Sequence, residues 1–410
     1  MLNNSQTIAG KKEIINFATG KCVFFACIKK MCTLAPEIIT MQPVREVIIV
    51  GGGLAGLTAA IHLSKAGLHV IVIEKHPYPR HKVCGEYISN EVLPYLQWLD
   101  ADPAVLSPAL IERVCISTVS GRKVETRLPL GGFGISRFAL DAFLMEKALS
   151  RGVTLLQDTV TNISFVNEQF AVETAANGTL FAAQVIGAYG KRAALDQQLN
   201  REFWEKKSPW LAVKAHYQGD FPDGLVALHN FRGGYCGVSK VEKDIINICY
   251  LASYEVFKHY KNIDEHRSEV LYENKFLREI FTNSAPLFER PLTISQISFS
   301  EKKKVDQHIL MTGDTAGLIH PLCGNGMAMA ISSAQLAAQQ ILKEQSRPAM
   351  EKEYTRKWEK QFAKRMKAGS LLSTVFTHPG LSGLTMGTVV AMPALLPFII
   401  KQTHGKPLEV

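Results

Sequence analysis

The sequence contains no run of 18 or more purely apolar residues, which argues against a polytopic membrane protein. Its eight cysteines are too sparse over 410 residues for a disulfide scaffold, and no zinc-type CxxC pair occurs. That usage points to a reducing cytoplasm, and no metal site is expected. A Gly-x-Ser-x-Gly elbow, an HExxH pair and a Walker loop are all missing, which removes three common enzyme chemistries. No nucleic-acid-binding motif is present, so nucleic acid is not an expected partner. Between Ala368 and Ile400 there is no Asp, Glu, Lys or Arg. Gly380, Gly383, Gly387, Pro393 and Pro397 interrupt that stretch, which argues against a single spanning helix.

What is present describes a globular chain. Hydrophobic residues make up 47% and charged residues 20%, enough to bury a large core and too balanced for a disordered chain. The length predicts two or three domains of about 150 residues each. The net charge of +9 suits anionic lipid or an anionic substrate as readily as a solvated surface. Residues 1–40 carry five lysines around the short apolar stretch Cys22–Ile28, too short to cross a bilayer and without a small-residue cleavage site. The expectation is that translation starts at Met41, so that residues 1–43 are an extension outside the folded domains.

The strongest local pattern begins at Val44. Residues Val47 to Val50 form a buried-strand run, and Gly51, Gly53 and Gly56 follow as GxGxxG. A helical pattern then runs to Ala66 and stops at Gly67, and a second apolar strand, His69 to Ile73, ends in Glu74 and Lys75. Gly51 permits a tight turn, Gly53 lets the backbone approach a pyrophosphate, and Gly56 lets the helix pack on the strand. The helix start at Leu54 and Ala55 offers free N–H groups to phosphates. Glu74 stands 18 residues beyond Gly56, where a carboxylate accepts from ribose hydroxyls. Strand, turn, helix, strand and acid in register predict a dinucleotide site.

Further segments identify the kind of dinucleotide. Residues 80–90 read RHKVCGEYISN, 134–144 read GISRFALDAFL, 185–192 read VIGAYGKR, and 309–331 read ILMTGDTAGLIHPLCGNGMAMAI. In this order after GxGxxG, they resemble the flavoprotein superfamily of geranylgeranyl reductases and single-component aromatic hydroxylases. The resemblance is closer to the geranylgeranyl reductase-like branch and covers roughly residues 44–345. It implies an α/β fold: a Rossmann-like FAD-binding domain, an antiparallel-sheet substrate domain and C-terminal helices. The FAD domain is expected from residues 44–105, 131–192 and 303–345, the substrate domain from 106–130 and 193–302, and a helical region from 346–410.

The resemblance also implies roles. Asp314 after Gly313 would bind the ribityl hydroxyls of FAD. Gly324, Asn325, Gly326 and Met327 would start a helix aimed at the flavin pyrimidine. Arg137 would approach the phosphate and ribityl region, with Lys82 and Gly85 beside the cofactor; an i,i+4 pair with Asp141 is the local alternative for Arg137. Cys84, Glu86 and His320 are the candidates for proton chemistry at the flavin, and Tyr235 and Pro321 for the substrate pocket. Two departures stand out. Tyr189 replaces the aspartate of the hydroxylases' Gly-x-Asp-Gly motif, and the Trp and Pro that the reductases and halogenases carry are missing around Gly233–Val238, so a reductase pocket here must differ. The implied activity is reduction of C=C bonds in an isoprenoid or other lipophilic substrate by hydride from flavin N5. The alternatives are a monooxygenase working through a C4a-hydroperoxide and a non-catalytic FAD-binding electron-transfer partner. With no second GxGxxG, NADPH is expected only as a transient reductant. The apolar stretch 368–400 is expected to form either a buried cap or a lid with peripheral membrane contact.

Overall fold

The computed structural model describes residues 46–205, 208–295, 297–343, 345–377, 387–388, 391–392 and 394–410. The expectation for residues 1–43 lies outside them. Arg45–Val410 make one compact unit.

Its first layer is a six-stranded sheet ordered Val305–Asp306, Ile309–Met311, Gln184–Gly187, Glu46–Val50, His69–Glu74 and Thr154–Gln157. All neighbours are parallel except the first pair. Glu46–Val50 sits at its centre, with Val47, Ile48, Ile49 and Val50 buried. A strand covered on both faces must be apolar there, and Val47–Val50 is, with only the half-buried Glu46 at its start charged. The helix Leu54–Lys65 buries ten residues and packs on two others, Arg137–Ser150 and Gly326–Ile341. The last of these buries 13 of its 16 residues, which suits a helix that is apolar or small all round.

The second layer is a nine-stranded sheet. Its order is Ser284–Pro286, Trp210–Gly219, Ile246–Ser253, Gly234–Lys240, Gly224–Phe231, Ala109–Ser117, Lys123–Gly134 and Tyr87–Ser89, with Leu292–Ser295 also paired to Trp210–Gly219. Most of its neighbours are antiparallel; Gly224–Phe231 and Ala109–Ser117 run parallel. The expected domain boundary at 130/131 falls inside Lys123–Gly134, and Tyr87–Ser89 joins this sheet as well. The strand period of two splits Trp210–Gly219 cleanly. Leu211, Val213, Ala215 and Tyr217 pack in the outer core with Leu271, Leu277 and Phe281, while Trp210 and Ala212 face the other way. A three-stranded meander, Val160–Val166, Gln169–Thr174 and Thr179–Ala182, flanks the parallel sheet, its last turn made by Asn177 and Gly178.

The C-terminal region is helical. Arg347–Thr377 packs on the first layer through Tyr354, whose hydroxyl donates to the Met311 carbonyl, and through buried Trp358 and Phe362. Leu395–Thr403 packs on Lys123–Gly134 with Leu396 and Ile400 buried beside Val114, Val124 and Leu128. The chain end is tied down as well: the Leu408 amide donates to the Glu91 carbonyl at 2.8 Å, and Gln335 Nε2 to the Glu409 carbonyl at 2.7 Å.

Several histidines are buried in this architecture. His229 stacks on Phe276, and His320 lies among Phe299, Tyr235 and Trp210. His266 sits in a box of Phe231, Tyr250, Phe257 and Tyr260, with neither ring nitrogen hydrogen-bonded. Burial pushes all three down to about 4. Their depressed values mean that the unfolded chain takes up protons first. Stability is therefore lost as pH falls below about 6.5, and the loss levels off near the folded-state value. The melting temperature should fall steadily between pH 7 and pH 5, by the equivalent of about 1–2 kcal/mol for His229 and His320 each. His266→Phe should flatten the profile; a profile unchanged by that substitution contradicts this account.

Candidate functional site

A cavity of about 980 Å³ lies between the two sheets. Its walls collect the sequence motifs. Gly51, Gly53, Leu54, Ala55, Glu74, Lys75, Lys82, Cys84, Gly85, Glu86, Arg137, Gly313, Asp314, Pro321, Gly324, Asn325, Gly326, Met327 and Tyr235 all line it. Gly56 and His320 do not.

The three motif glycines have different reasons to be glycine. Gly51 holds φ +109, and a Cβ there would lie 2.4 Å from the Ala188 carbonyl oxygen. At Gly56 a Cβ would lie 1.9 Å from the Gly51 carbonyl oxygen, so this position serves packing. At Gly53 the nearest atom is Arg137 Nη2 at 3.6 Å, so the protein leaves this space open toward the cavity. Glu74 accepts from the Gly52 amide at 2.9 Å and the His76 amide at 3.1 Å, which fixes the turn and leaves acceptor capacity on a buried carboxylate. Tyr78, which the sequence did not single out, donates to the Gly52 carbonyl and would collide with any side chain at 52.

Beside Gly53 the electrostatics are positive. Asp141 holds Arg137 through Nε at 2.7 Å and Nη2 at 2.8 Å, and Lys82 at 2.7 Å. Burial would raise the Asp141 carboxyl, but the two cations outweigh it and hold it below its ordinary value. The local Arg137–Asp141 pair and the cavity role thus occur together. Two cations on one carboxylate leave one net positive charge, next to a helix N-terminus, where a pyrophosphate would lie.

The opposite rim is tied by the loops after Gln184–Gly187 and Ile309–Met311. Lys302 Nζ donates to the carbonyls of Lys191 at 2.7 Å and Asp314 at 2.8 Å, and the Gly190 amide donates to Thr315 Oγ1 at 2.8 Å. Asp314 is half-buried, with its carboxylate in the cavity wall. Tyr189 lies 3.5 Å from Arg201 Nη1, so this rim carries a phenol in place of a carboxylate. Asn325 Nδ2 donates to the Thr403 carbonyl at 2.9 Å, joining the glycine-rich turn to the C-terminal helix.

Two of the proton-chemistry candidates have close partners from distant parts of the chain. Glu86 is fully buried and spent: its carboxylate takes Lys214 Nζ, His216 Nε2 at 2.7 Å and the Arg137 amide at 2.8 Å. Burial would raise it, but the His216 hydrogen bond and the Lys214 charge hold it below its ordinary value. It is an anchor, not a free acid. His320 is 3% exposed, and its ring turns away from the cavity into the aromatic cluster while Nδ1 accepts from the Leu322 amide at 3.4 Å. Burial keeps that ring neutral. Cys84 remains at the wall, half-buried, with its carbonyl and that of Gly85 bound by Asn247 Nδ2 at 3.3 and 2.9 Å. Tyr235 stays a wall residue, and burial raises its phenol well above the ordinary range. His81, Glu86 and His216 bring ligand atoms within 4.8 Å of one another. The Lys214 ammonium on Glu86 already supplies the counter-charge a cation would bring there.

The glycine cradle, its open space at Gly53 and the adjacent cations fit a dinucleotide, and the comparisons agree on which one. The model of the FAD binding domain family matches residues 45–367. The chain belongs to this family. It is 22% identical over 320 residues to the tryptophan 2-halogenase of Chondromyces crocatus, covering 72% of this chain and 60% of the length of that protein. It is 25% identical over 323 residues to digeranylgeranylglycerophospholipid reductase 1 of Methanothermobacter thermautotrophicus, covering 74% and 78%. The flavin-dependent brominase Bmp2 shares its fold, with a TM-score of 0.72 and 19% identity over 87% of this chain and 92% of that one. Reductases and halogenases are among its relatives, the chain spans only 60% of the length of the halogenase, and the glycine cradle fits FAD.

The cofactor site and the anchor give separate predictions. Gly53→Val should fold normally yet lose most bound FAD, and Asp314→Ala should weaken retention, both read from the ratio of flavin to protein absorbance. Normal flavin content in both variants contradicts the assignment. Glu86→Gln strands Lys214 as an unpaired buried charge and should cost about 3–5 kcal/mol by denaturant titration. Adding Lys214→Met should recover much of that loss.

Proposed function

We propose that the protein reduces carbon–carbon double bonds of an isoprenoid or similar lipophilic substrate, with NADPH as a transient electron donor. The observation that carries this reading is the apolar arm of the cavity. Val114, Ile116, Leu128, Val226, Leu396 and Ile400 line it, and it is continuous with the glycine cradle. Such walls bury a long hydrocarbon at about 0.8 kcal/mol per methylene.

FAD, when bound and reduced, supplies a hydride. The protein has to hold the chain, exclude water and deliver a proton. With Glu86 held as an ion-paired anchor and His320 turned away, the wall offers the Cys84 thiol and the Tyr235 phenol. The relative named as a reductase of a digeranylgeranyl lipid supports the substrate class. Tyr189 in place of aspartate counts against the usual hydroxylase form, and the missing Trp and Pro count against a halogenase while requiring a pocket unlike that of the other reductases.

Anaerobically reduced enzyme mixed with an unsaturated isoprenoid should reoxidise without dioxygen, and the product should gain two hydrogens. Flavin reoxidation that needs dioxygen, with a product that gains one oxygen atom, would establish the monooxygenase instead. Reoxidation by no substrate in either condition would leave an electron-transfer role. Cys84→Ala should lower reduction about 10²-fold while flavin content is kept, if the thiol delivers the proton.

A further inference from the structure

The uncharged stretch of the sequence and the wall of the cavity meet in one helix. Leu396, Ile400 and Thr403 form the buried face of Leu395–Thr403, and Ile399 joins them along the cavity. The opposite face carries Phe398 together with exposed Lys401 and Gln402. Phe398 is 63% exposed, Met392 just before the helix is 55% exposed, and Ala391 and Ala394 are exposed beside them. The neighbouring helix Arg347–Thr377 carries an exposed row, Lys360, Lys364, Lys367 and Leu371, at helical spacing. Between Glu359 and Glu409 the sequence holds six Lys or Arg residues and no acidic one.

We propose that this surface docks on an anionic lipid bilayer. Phe398 and Met392 enter the acyl-headgroup boundary, and Lys364, Lys367, Lys401 and Lys406 meet the headgroups. Exposed apolar residues rimmed by one sign of charge suit that partner. A second copy of the chain would face its own cations across a two-fold interface, which disfavours self-association here. No helix among the described residues is long and apolar enough to cross a membrane, so the contact is peripheral. Because the inner face of the same helix lines the cavity, a lipophilic substrate leaving the bilayer would reach the flavin past Leu396 and Ile399. The docking does not depend on which reaction the flavin performs.

The test is flotation of the full, FAD-loaded chain with vesicles of phosphatidylcholine alone and of phosphatidylcholine with about one-third phosphatidylglycerol. Binding should be at least about tenfold stronger on the anionic vesicles and should fall as salt rises. Phe398→Glu, and separately the pair Lys401→Glu and Lys406→Glu, should each reduce it about tenfold, with the flavin spectrum and melting temperature kept. No flotation on anionic vesicles, equal flotation on both compositions, or Phe398→Glu floating like the parent would overturn the proposal. So would a dimer of the parent chain in solution that Phe398→Glu converts to monomer, since the face would then be a protein interface. Turnover is not part of the measurement, so failure here is separable from failure of the reductase reading.

Discussion

One buried carboxylate ties the cavity loop and the helix Arg137–Ser150 to the nine-stranded sheet. Glu86 sits at φ 55, a left-handed conformation that costs energy for a residue with a Cβ. Its backbone carbonyl accepts from the Ile135 amide at 3.0 Å, and its carboxylate takes Lys214, His216 and the first amide of the helix Arg137–Ser150. The loop before Glu86 carries Lys82, Cys84 and Gly85 into the cavity. A carboxylate buried this deeply is tolerable only with its charge balanced and its lone pairs taken, and Lys214 and His216 on the substrate sheet do both. The loop before Glu86 therefore cannot shift without stranding the Lys214 charge in the nine-stranded sheet.

Asp141 repeats the device at the phosphate end. There the carboxylate is likewise buried, but it holds two cations instead of balancing one. The outcome differs with the arithmetic of charge. Around Glu86 one carboxylate faces one ammonium and an imidazole, and the cluster serves as an anchor. Around Asp141 the surplus positive charge is presented to the open space at Gly53, where an anion is needed. Both acids lie near the start of the same helix, so the cradle and the anchor are positioned by one element.

Local constraints were readable from the sequence, and long-range ones were not. The glycine turn announces itself because each glycine answers a contact within one strand–helix unit, and Asn177–Gly178 marks its hairpin for the same reason. The ion pairing of Glu86 could not be read from its surroundings in sequence, because its partners lie 128 and 130 residues away. A signal for them existed. Lys214 and His216 alternate with apolar residues in Trp210–Tyr217, and a charged side chain on the inner face of a buried strand requires a partner. His320 was placed at the flavin because it adjoins the glycine-rich motif in sequence. In the fold it caps the short turn Pro321–Cys323, and that geometry points its ring backwards into the aromatic cluster. The strand Lys123–Gly134 runs across the expected domain boundary; its first half alternates buried Val124 and Leu128 with exposed polar residues, and its end, around Phe133, is buried.

The chain terminus completes the site from the far side. Asn325, at the start of the glycine-rich helix, holds the Thr403 carbonyl, and Tyr87 Oη lies 3.3 Å from His404 Nε2. Glu91, in the segment just after the anchor loop, takes Arg365 Nη1 at 3.2 Å and, through its carbonyl, the Leu408 amide. The helix that walls the apolar arm is thus fastened at its C-terminal end to the flavin-facing turn and to the anchor loop. Its N-terminal end has no such ties among the described residues; Ala391, Met392 and Ala394 are exposed. The ties at the C-terminal end place Leu396, Ile399 and Ile400 against the cavity beside the same turn that lines the cofactor cradle.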